Sequence, residues 1–496
     1  MKKIFLMGAL CYLGMLQASK TVFVPRSIST DPMYELALNF HQDYLKDSTN
    51  EDDFSWSLYV TPFYQSSARS KKIGGYLLPT CVRGCNSSCC SKGSSCNSCC
   101  NATCGCCDKT SVSVREDGLG DIGSPWLYLL AAEGSQFNST LRICPKWYKA
   151  GAHINFCLNF SNLLRGLWLS AIVVPLQSTH KLCLRECQIG AAGSLAGYTT
   201  ICDALNSYGV QKFCNKVKKS GFDDIQVKLG YALKPHEKWF MEFYLAGVVP
   251  TSNVQKACYF FEPQVGSGRH GGFGVGFDGV VHMTQTDASS WDFMFDVKYL
   301  YYFQHCQIRS FDLCNGDWSR YLLGTFTDSR TVGVPLLPCL TRKCNVTPRS
   351  QLSLYGALHH EHNDWEFELG GNFWWRQREK VTLCNTCLSD VAIYDLAGAR
   401  AGNPVSASTA NISQSAGGAN AATSDTTFTI IDPCTINVCS ATQPNAYTFK
   451  VFAALGYEFK EHEWPWLLGI GGFYEVANSC SALNQWGAWL KLGVHF

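Results

Sequence analysis

Cysteine, histidine and serine are the residues of this chain whose types and spacing could do chemistry. Ten cysteines crowd one run, CVRGCNSSCCSKGSSCNSCCNATCGCC: Cys81, Cys85, Cys89, Cys90, Cys96, Cys99, Cys100, Cys104, Cys106 and Cys107. Two chemistries suit it. Thiolates held reduced, as in CNSC (96–99) and CGC (104–106), could chelate zinc or copper(I). In an oxidising compartment the same residues would form disulfides. Adjacent pairs such as Cys89-Cys90 and Cys99-Cys100 cannot easily bridge internally, because disulfide geometry usually keeps the two Cα atoms farther apart than chain neighbours are. Each member would then bond elsewhere, within a crosslinked knot or between molecules.

The remaining chemical signals are weaker. His359, His360 and His362 could offer imidazoles to a metal, but HHEHND resembles other short polar connectors and reads as a solvated turn. GGFGVGF (271–277) matches a loose Gly-x-Gly pattern without the following helix that a dinucleotide site requires. The Gly-x-Ser-x-Gly elbow of serine hydrolases is absent, and no spacing singles out a Ser–His pair. No catalytic, cofactor or metal residue is therefore assigned, and a non-enzyme is expected.

The compartment decides what the cysteines do. MKKIFLMGALCYLGMLQASK has a basic start at Lys2 and Lys3, an apolar stretch from Ile4 to Leu16, and small residues at Ala18 and Ser19. That pattern predicts a cleaved export signal over 1–19, and the apolar stretch is too short to span a bilayer. Cys11 falls inside it, leaving 26 of the 27 cysteines in the mature chain. A formal charge of +2 gives no reason to expect nucleic acid as a partner. No later run is long and apolar enough for a transmembrane helix, but an exported chain with 13% aromatic residues can live in a membrane as a closed barrel.

The elements that would build such a barrel are legible. After a short amphipathic segment over 27–47, with Thr30 and Asp31 as caps and Pro32 in the first turn, the period changes to two at FSWSLYVTPFY. Similar stretches recur over 147–160, 166–178, 223–234, 238–249, 271–283, 290–304, 351–361, 364–379, 446–459, 464–477 and 483–496, about twelve strands in all, with ten to fourteen as the alternatives. Soluble strands average about five or six residues; these are nearer the length that crosses a bilayer at a tilt. Short polar connectors alternate with long ones (65–146, 179–222, 250–270, 305–350 and 380–445), as in barrels with short periplasmic turns and long external loops. Strand parity nominates Lys228, Glu242, Asp292, Asp296, Lys298, Glu366, Glu368, Arg376, Arg378, Lys450, Glu458 and Lys491 as lumen-lining. Both signs occur, so strong ion selectivity is not expected.

The last strand, WGAWLKLGVHF, alternates up to Phe496. There the chain resembles the β-barrel proteins of Gram-negative outer membranes, and most nearly small twelve-stranded monomeric channels. The resemblance implies an all-β, antiparallel transmembrane barrel over 54–496, a periplasmic or plug segment over 20–53, and the bacterial outer membrane as location. It also implies membrane lipids and the barrel-assembly machinery as partners, with Phe496 as the assembly signal.

With that topology almost every mature cysteine falls in an external loop. Besides the ten in the run, Cys183/Cys187, Cys202/Cys214, Cys306/Cys314, Cys339/Cys344, Cys384/Cys387 and Cys434/Cys439 are candidate local disulfides, although spacing alone does not fix connectivity. Loops without a core of their own lack the burial to offset chain entropy, which disulfides would remedy. Passive passage of small solutes through a barrel with disulfide-stabilised loops is the expected function. The alternatives are a surface adhesin or structural envelope protein crosslinked to others through loop cysteines and, further off, an outer-membrane hydrolase.

Overall fold

The structure, a computed structural model, describes residues 20–38, 55–79, 109–117, 119–130, 136–188, 193–194, 198–233, 238–286, 288–326, 334–385, 391–393, 411–413, 431–460, 464–478 and 482–495. The expected export signal, the Cys81–Cys107 run, Cys387 and Phe496 lie outside these residues.

The alternating stretches pair into a closed antiparallel barrel of twelve strands. They are β1 (Ser55–Ser67), β2 (Lys146–Asn159), β3 (Leu167–Val173, continued as Pro175–Lys181), β4 (Lys216–Phe222, continued as Ile225–Ala232), β5 (Trp239–Val249), β6 (Gly272–Thr286), β7 (Ser289–Tyr302), β8 (Arg349–His362), β9 (Trp365–Arg376), β10 (Ala446–Phe459), β11 (Trp466–Ala477) and β12 (Gln485–His495). Each strand pairs with the next, and β1 closes the ring on β12, with Leu58 opposite Val494 and Ser66 opposite Trp486.

Two-residue periodicity sorts the side chains. Leu229, Phe243, Leu245, Phe273, Val275, Phe367, Leu369, Ile470, Leu490 and Leu492 are exposed on the outer wall, while Lys228, Glu242, Asp278, Glu366, Glu368 and Lys491 are buried inside. A soluble sheet hides its apolar face; this barrel presents apolar side chains outward and charge inward, as a lipid-facing wall requires. Aromatic side chains such as Trp365, Tyr457 and Phe459 gather near the short-turn rim and Tyr64, Trp486 and Tyr301 near the long-loop rim.

One irregularity reshapes the wall. Phe222 pairs with Pro175 above, Gln226 with Ile172 below, so β4 carries one residue more than β3 between these pairs. This is a β-bulge at Asp223-Asp224, with the Asp223 amide donating to the Val174 carbonyl at 2.9 Å. Above it the upper half of β3 pairs with Lys146–Gly151 of β2, and the upper half of β4, paired with that of β3, ends the sheet among the described residues. These halves extend past the limits expected from the sequence, 178 and 223. PLQSTHK and KVKKSGF carry polar residues where lower strand segments carry apolar ones, so the alternation that reveals the other strands is missing there.

The long connectors make a cap with its own core. Trp126, Trp147, Phe213, Phe260, Trp318, Tyr321 and Leu336, from five different parts of the chain, pack in one buried apolar cluster. The Trp318 indole donates to the Leu77 carbonyl at 3.0 Å, and the buried pairs Arg320–Asp312 (2.8 Å) and Arg309–Glu379 (2.6 Å) lie alongside. The expected lack of a loop core is thereby corrected: burial contributes the stability assigned above to disulfides.

The cysteines agree with that correction. Among the described residues Cys183, Cys187, Cys202, Cys214, Cys306, Cys339, Cys344 and Cys384 are free thiols, so the pairings Cys183/Cys187, Cys202/Cys214, Cys306/Cys314 and Cys339/Cys344 are not formed, while Cys314 and Cys439 are disulfide-bonded. Neighbours in sequence are parted by structure: Cys339 ends the helix Leu336–Cys339, whereas Cys344 is buried on the strand Thr341–Thr347.

Candidate functional site

Residues 20–38 run through the lumen, and nearly all of them are buried. The expected helix over 27–47 is realised, within the described residues, as α1 (Pro32–Leu36), with Pro32 in the first turn and Asp31 as the N-cap accepting from the Met33 amide. The other end of the segment lies under the cap: the Lys20 amide donates to the Tyr76 carbonyl at 2.8 Å, and the Lys20 ammonium to the Cys439 carbonyl at 2.6 Å.

Between these ends the wall holds the segment through polar side chains. The Arg26 guanidinium donates to Asn372 Oδ1 at 2.5 Å and to Ser353 Oγ at 3.0 Å. Asp223 at the bulge accepts from Ser27 Oγ at 2.9 Å and from the Ile28 amide at 2.7 Å. Asp31 pairs with Lys450. Glu35 pairs with Lys228 at 2.6 Å and lies 3.8 Å from Lys298. Glu368 accepts from the Leu38 amide at 2.8 Å, Arg376 donates to the Val24 carbonyl at 3.0 Å, and Lys491 donates to the Ala37 carbonyl. The apolar side of the segment (Met33, Tyr34, Leu36 and Leu38) packs against Tyr59, Phe63, Phe452, Phe473 and Trp489. Apolar packing fixes the seat, and the charged contacts fix the register.

Of the residues nominated for the lumen, Lys228, Glu242, Asp292, Asp296, Lys298, Glu366, Glu368, Arg376, Lys450, Glu458 and Lys491 are buried inside the wall. Lys228, Lys298, Glu368, Arg376, Lys450 and Lys491 meet the segment directly. Glu242 stands opposite Asp278, and Asp278 opposite Asp296, making a row of three carboxylates across β5, β6 and β7. The Tyr244 hydroxyl donates to Asp296 Oδ1 at 2.5 Å; its ring lies over Gly276, where a Cβ would overlap it. Asp292 and Glu458 belong nearer the short-turn rim, beside His282 (2.7 Å) and Lys460 (3.4 Å).

Arg378 departs from the expectation. β9 ends at Arg376, the alternation slips by one, and Glu379 takes the buried position while Arg378 is half-buried with its guanidinium 3.5 Å from Cys439 Sγ. Strand parity holds only while the strand does. Parity would also have found Asp278. Asp223 and the segment's own Arg26, Asp31 and Glu35 carry no periodic signal, because their roles depend on which wall they meet.

No protein-family model matches the chain, and no curated protein matches it. Among solved structures it is similar to an outer-membrane channel from Pseudomonas putida F1 (8% identity, 89% of this chain and 96% of that one, TM-score 0.34). Others are a FadL homologue from Pseudomonas aeruginosa (8% identity, 97% and 99%, TM-score 0.28) and the toluene transporter TodX from Pseudomonas putida (9% identity, 97% and 95%, TM-score 0.23). At TM-scores this low, solute and mechanism rest on the chain's own residues.

Proposed function

We propose that this barrel sits in the bacterial outer membrane and passes small solutes passively, with residues 20–38 acting as a removable plug. The outer wall supports the membrane location: exposed apolar residues such as Phe243, Leu245, Phe273, Val275, Leu490 and Leu492 would meet lipid. The observation that carries the channel is how the lumen is filled. A barrel built only as a scaffold can close its interior with apolar side chains from the wall itself. Here the wall supplies Lys228, Glu368, Arg376, Lys450 and Lys491, and a separate segment occupies the space between them. On withdrawal those groups would face water, which solvates them well, and a polar passage would remain. Carboxylates and ammoniums both line it, so weak ion selectivity is expected.

The test is planar-bilayer conductance of the full chain beside a variant lacking residues 20–38. Rare openings of the full chain and frequent, discrete steps in the deletion are the expected result. A folded deletion variant that stays silent would overturn the channel.

One observation favours the alternative of a crosslinked envelope protein. Cys144, Cys187, Cys258, Cys306 and Cys384 are exposed free thiols in the cap and its approaches, placed where they could bond to other molecules in an oxidising envelope. The two roles are compatible, since the thiols lie outside the lumen.

A further inference from the structure

Three lysines stand shoulder to shoulder on the outer wall. Lys216 of β4 is directly opposite Lys181 of β3, and Lys181 directly opposite Lys146 of β2. Side chains so paired are about 5 Å apart at Cβ, and like charges in that relation destabilise a sheet. Lys218 follows on the same face two residues on. Four residues above Lys146 the pattern repeats: Arg142 faces Arg185 across Asn138–Arg142 and Arg185–Gln188. Alternating burial from Leu141 to Ala150 keeps Arg142 and Lys146 on one outward face.

Among the described residues, no carboxylate pairs with Arg142, Lys146, Lys181, Arg185, Lys216 or Lys218. The neighbouring Lys219, on the inward face, does have a partner in Glu262 at 3.6 Å. Lys181 lies over the Tyr148 ring at 5.2 Å, which holds its ammonium to the wall.

The height of the ladder identifies what would meet it. Phe222, exposed on the outward face of β4, lies six residues below Lys216, or about 20 Å along the strand. Phe222 belongs to the apolar band, so the lysines emerge above the hydrocarbon, at the level of lipid headgroups on the long-loop side.

We infer that the row Lys146–Lys181–Lys216, with Lys218 and the Arg142–Arg185 pair, binds the phosphates of an anionic lipid headgroup in the leaflet at the long-loop rim. The inference rests on the membrane location proposed above. Ammonium groups spaced at strand separation suit a headgroup with more than one phosphate, and guanidinium groups can grip phosphate oxygens two at a time. A bound headgroup would remove the like-charge repulsion and fasten the kinked halves of β3 and β4, whose outer edge pairs with no further strand among the described residues.

The test compares the full chain with a K146Q/K181Q/K216Q variant, each refolded into phosphatidylcholine vesicles with and without lipid A, a glycolipid carrying two phosphates. The wild type should retain lipid A through detergent extraction and resist heat unfolding better in its presence. The triple variant, whose altered side chains are not in the core, should insert equally but hold lipid A about a hundred-fold more weakly, at roughly five-fold per lysine. Equal retention by both proteins overturns the inference while leaving the membrane location intact. The same protection from inorganic phosphate in phosphatidylcholine alone overturns the lipid as the source of the anion. Failure of the wild type to insert into either vesicle overturns the membrane location, and this inference with it.

Discussion

Asp31 of the luminal segment and Lys450 of β10 form an ion pair with both side chains buried. Asp31 also caps α1 and lies 3.6 Å from Arg26, so one carboxylate joins the short helix, the chain before it and the barrel wall. Removing one partner of a buried pair leaves a stranded charge, at a cost of about 3–5 kcal/mol.

Lys450→Met should therefore unseat the plug. Its expected signature is a higher open probability in planar bilayers with unchanged single-channel conductance. Adding Asp31→Asn to Lys450→Met should restore much of the closed population, because the stranded carboxylate is then gone. A double mutant as open as Lys450→Met alone would place the effect elsewhere in the wall.

Asp223→Ala acts higher in the lumen. Ser27 and the Ile28 amide lose a charged acceptor, and such bonds contribute about 1.5–3 kcal/mol each. Cysteine placed at Ser29 should react with a membrane-impermeant maleimide much faster in the Asp223→Ala background. Equal labelling rates would show that the bulge does not hold the segment.

Acid should loosen the cap through Glu379. Burial pushes this carboxyl up, but the Arg309 guanidinium and the Gln443 amide more than offset that and hold it below its ordinary 4.5. A group depressed in the folded state stabilises at pH above its unfolded value, and that contribution is lost as pH falls through the folded value. Protease resistance of the cap should stay flat from neutrality to about pH 5 and fall below about 4.5. Glu379→Gln should weaken the cap at neutral pH and shrink the acid-dependent step.

Thiol chemistry separates surface from core. Cys144, Cys187, Cys258, Cys306 and Cys384 are exposed, whereas Cys157 and Cys344 are buried. Burial pushes the Cys344 thiol up to about 12, leaving little thiolate to react near neutral pH. Maleimide labelling without reductant, read site by site by mass spectrometry, should mark those exposed positions in the folded protein. Cys157 and Cys344 should appear only after denaturation. Exposed positions that label only after reduction would show them oxidised in the envelope.

The barrel was largely written in the sequence. Alternation in stretches such as WEFELGGNFWWR places Phe367 and Leu369 outward and Glu366 and Glu368 inward without reference to any other strand, because a strand has two faces and lipid accepts only one chemistry. Connector lengths ordered the strands in the same way. Signals faded where lipid stops imposing its pattern. The end of β3 beyond residue 178 and the upper half of β4 carry polar outward residues and fall in the expected loop, and Arg378 falls just past the point where β9 ends.

What only the tertiary structure decided is which parts of the chain meet. Residues 27–47 show only the signal of a short amphipathic segment; it is Lys228, Glu368, Lys450 and Lys491, far apart in sequence, that converge on residues 20–38 in the lumen. The cap core is likewise assembled from Trp126, Phe213, Trp318 and Leu336, which lie in three different connectors. Facing a solvent is a local property of each residue, so it leaves a local trace. Burial against another segment depends on partners that closure of the barrel brings together, and only closure reveals them.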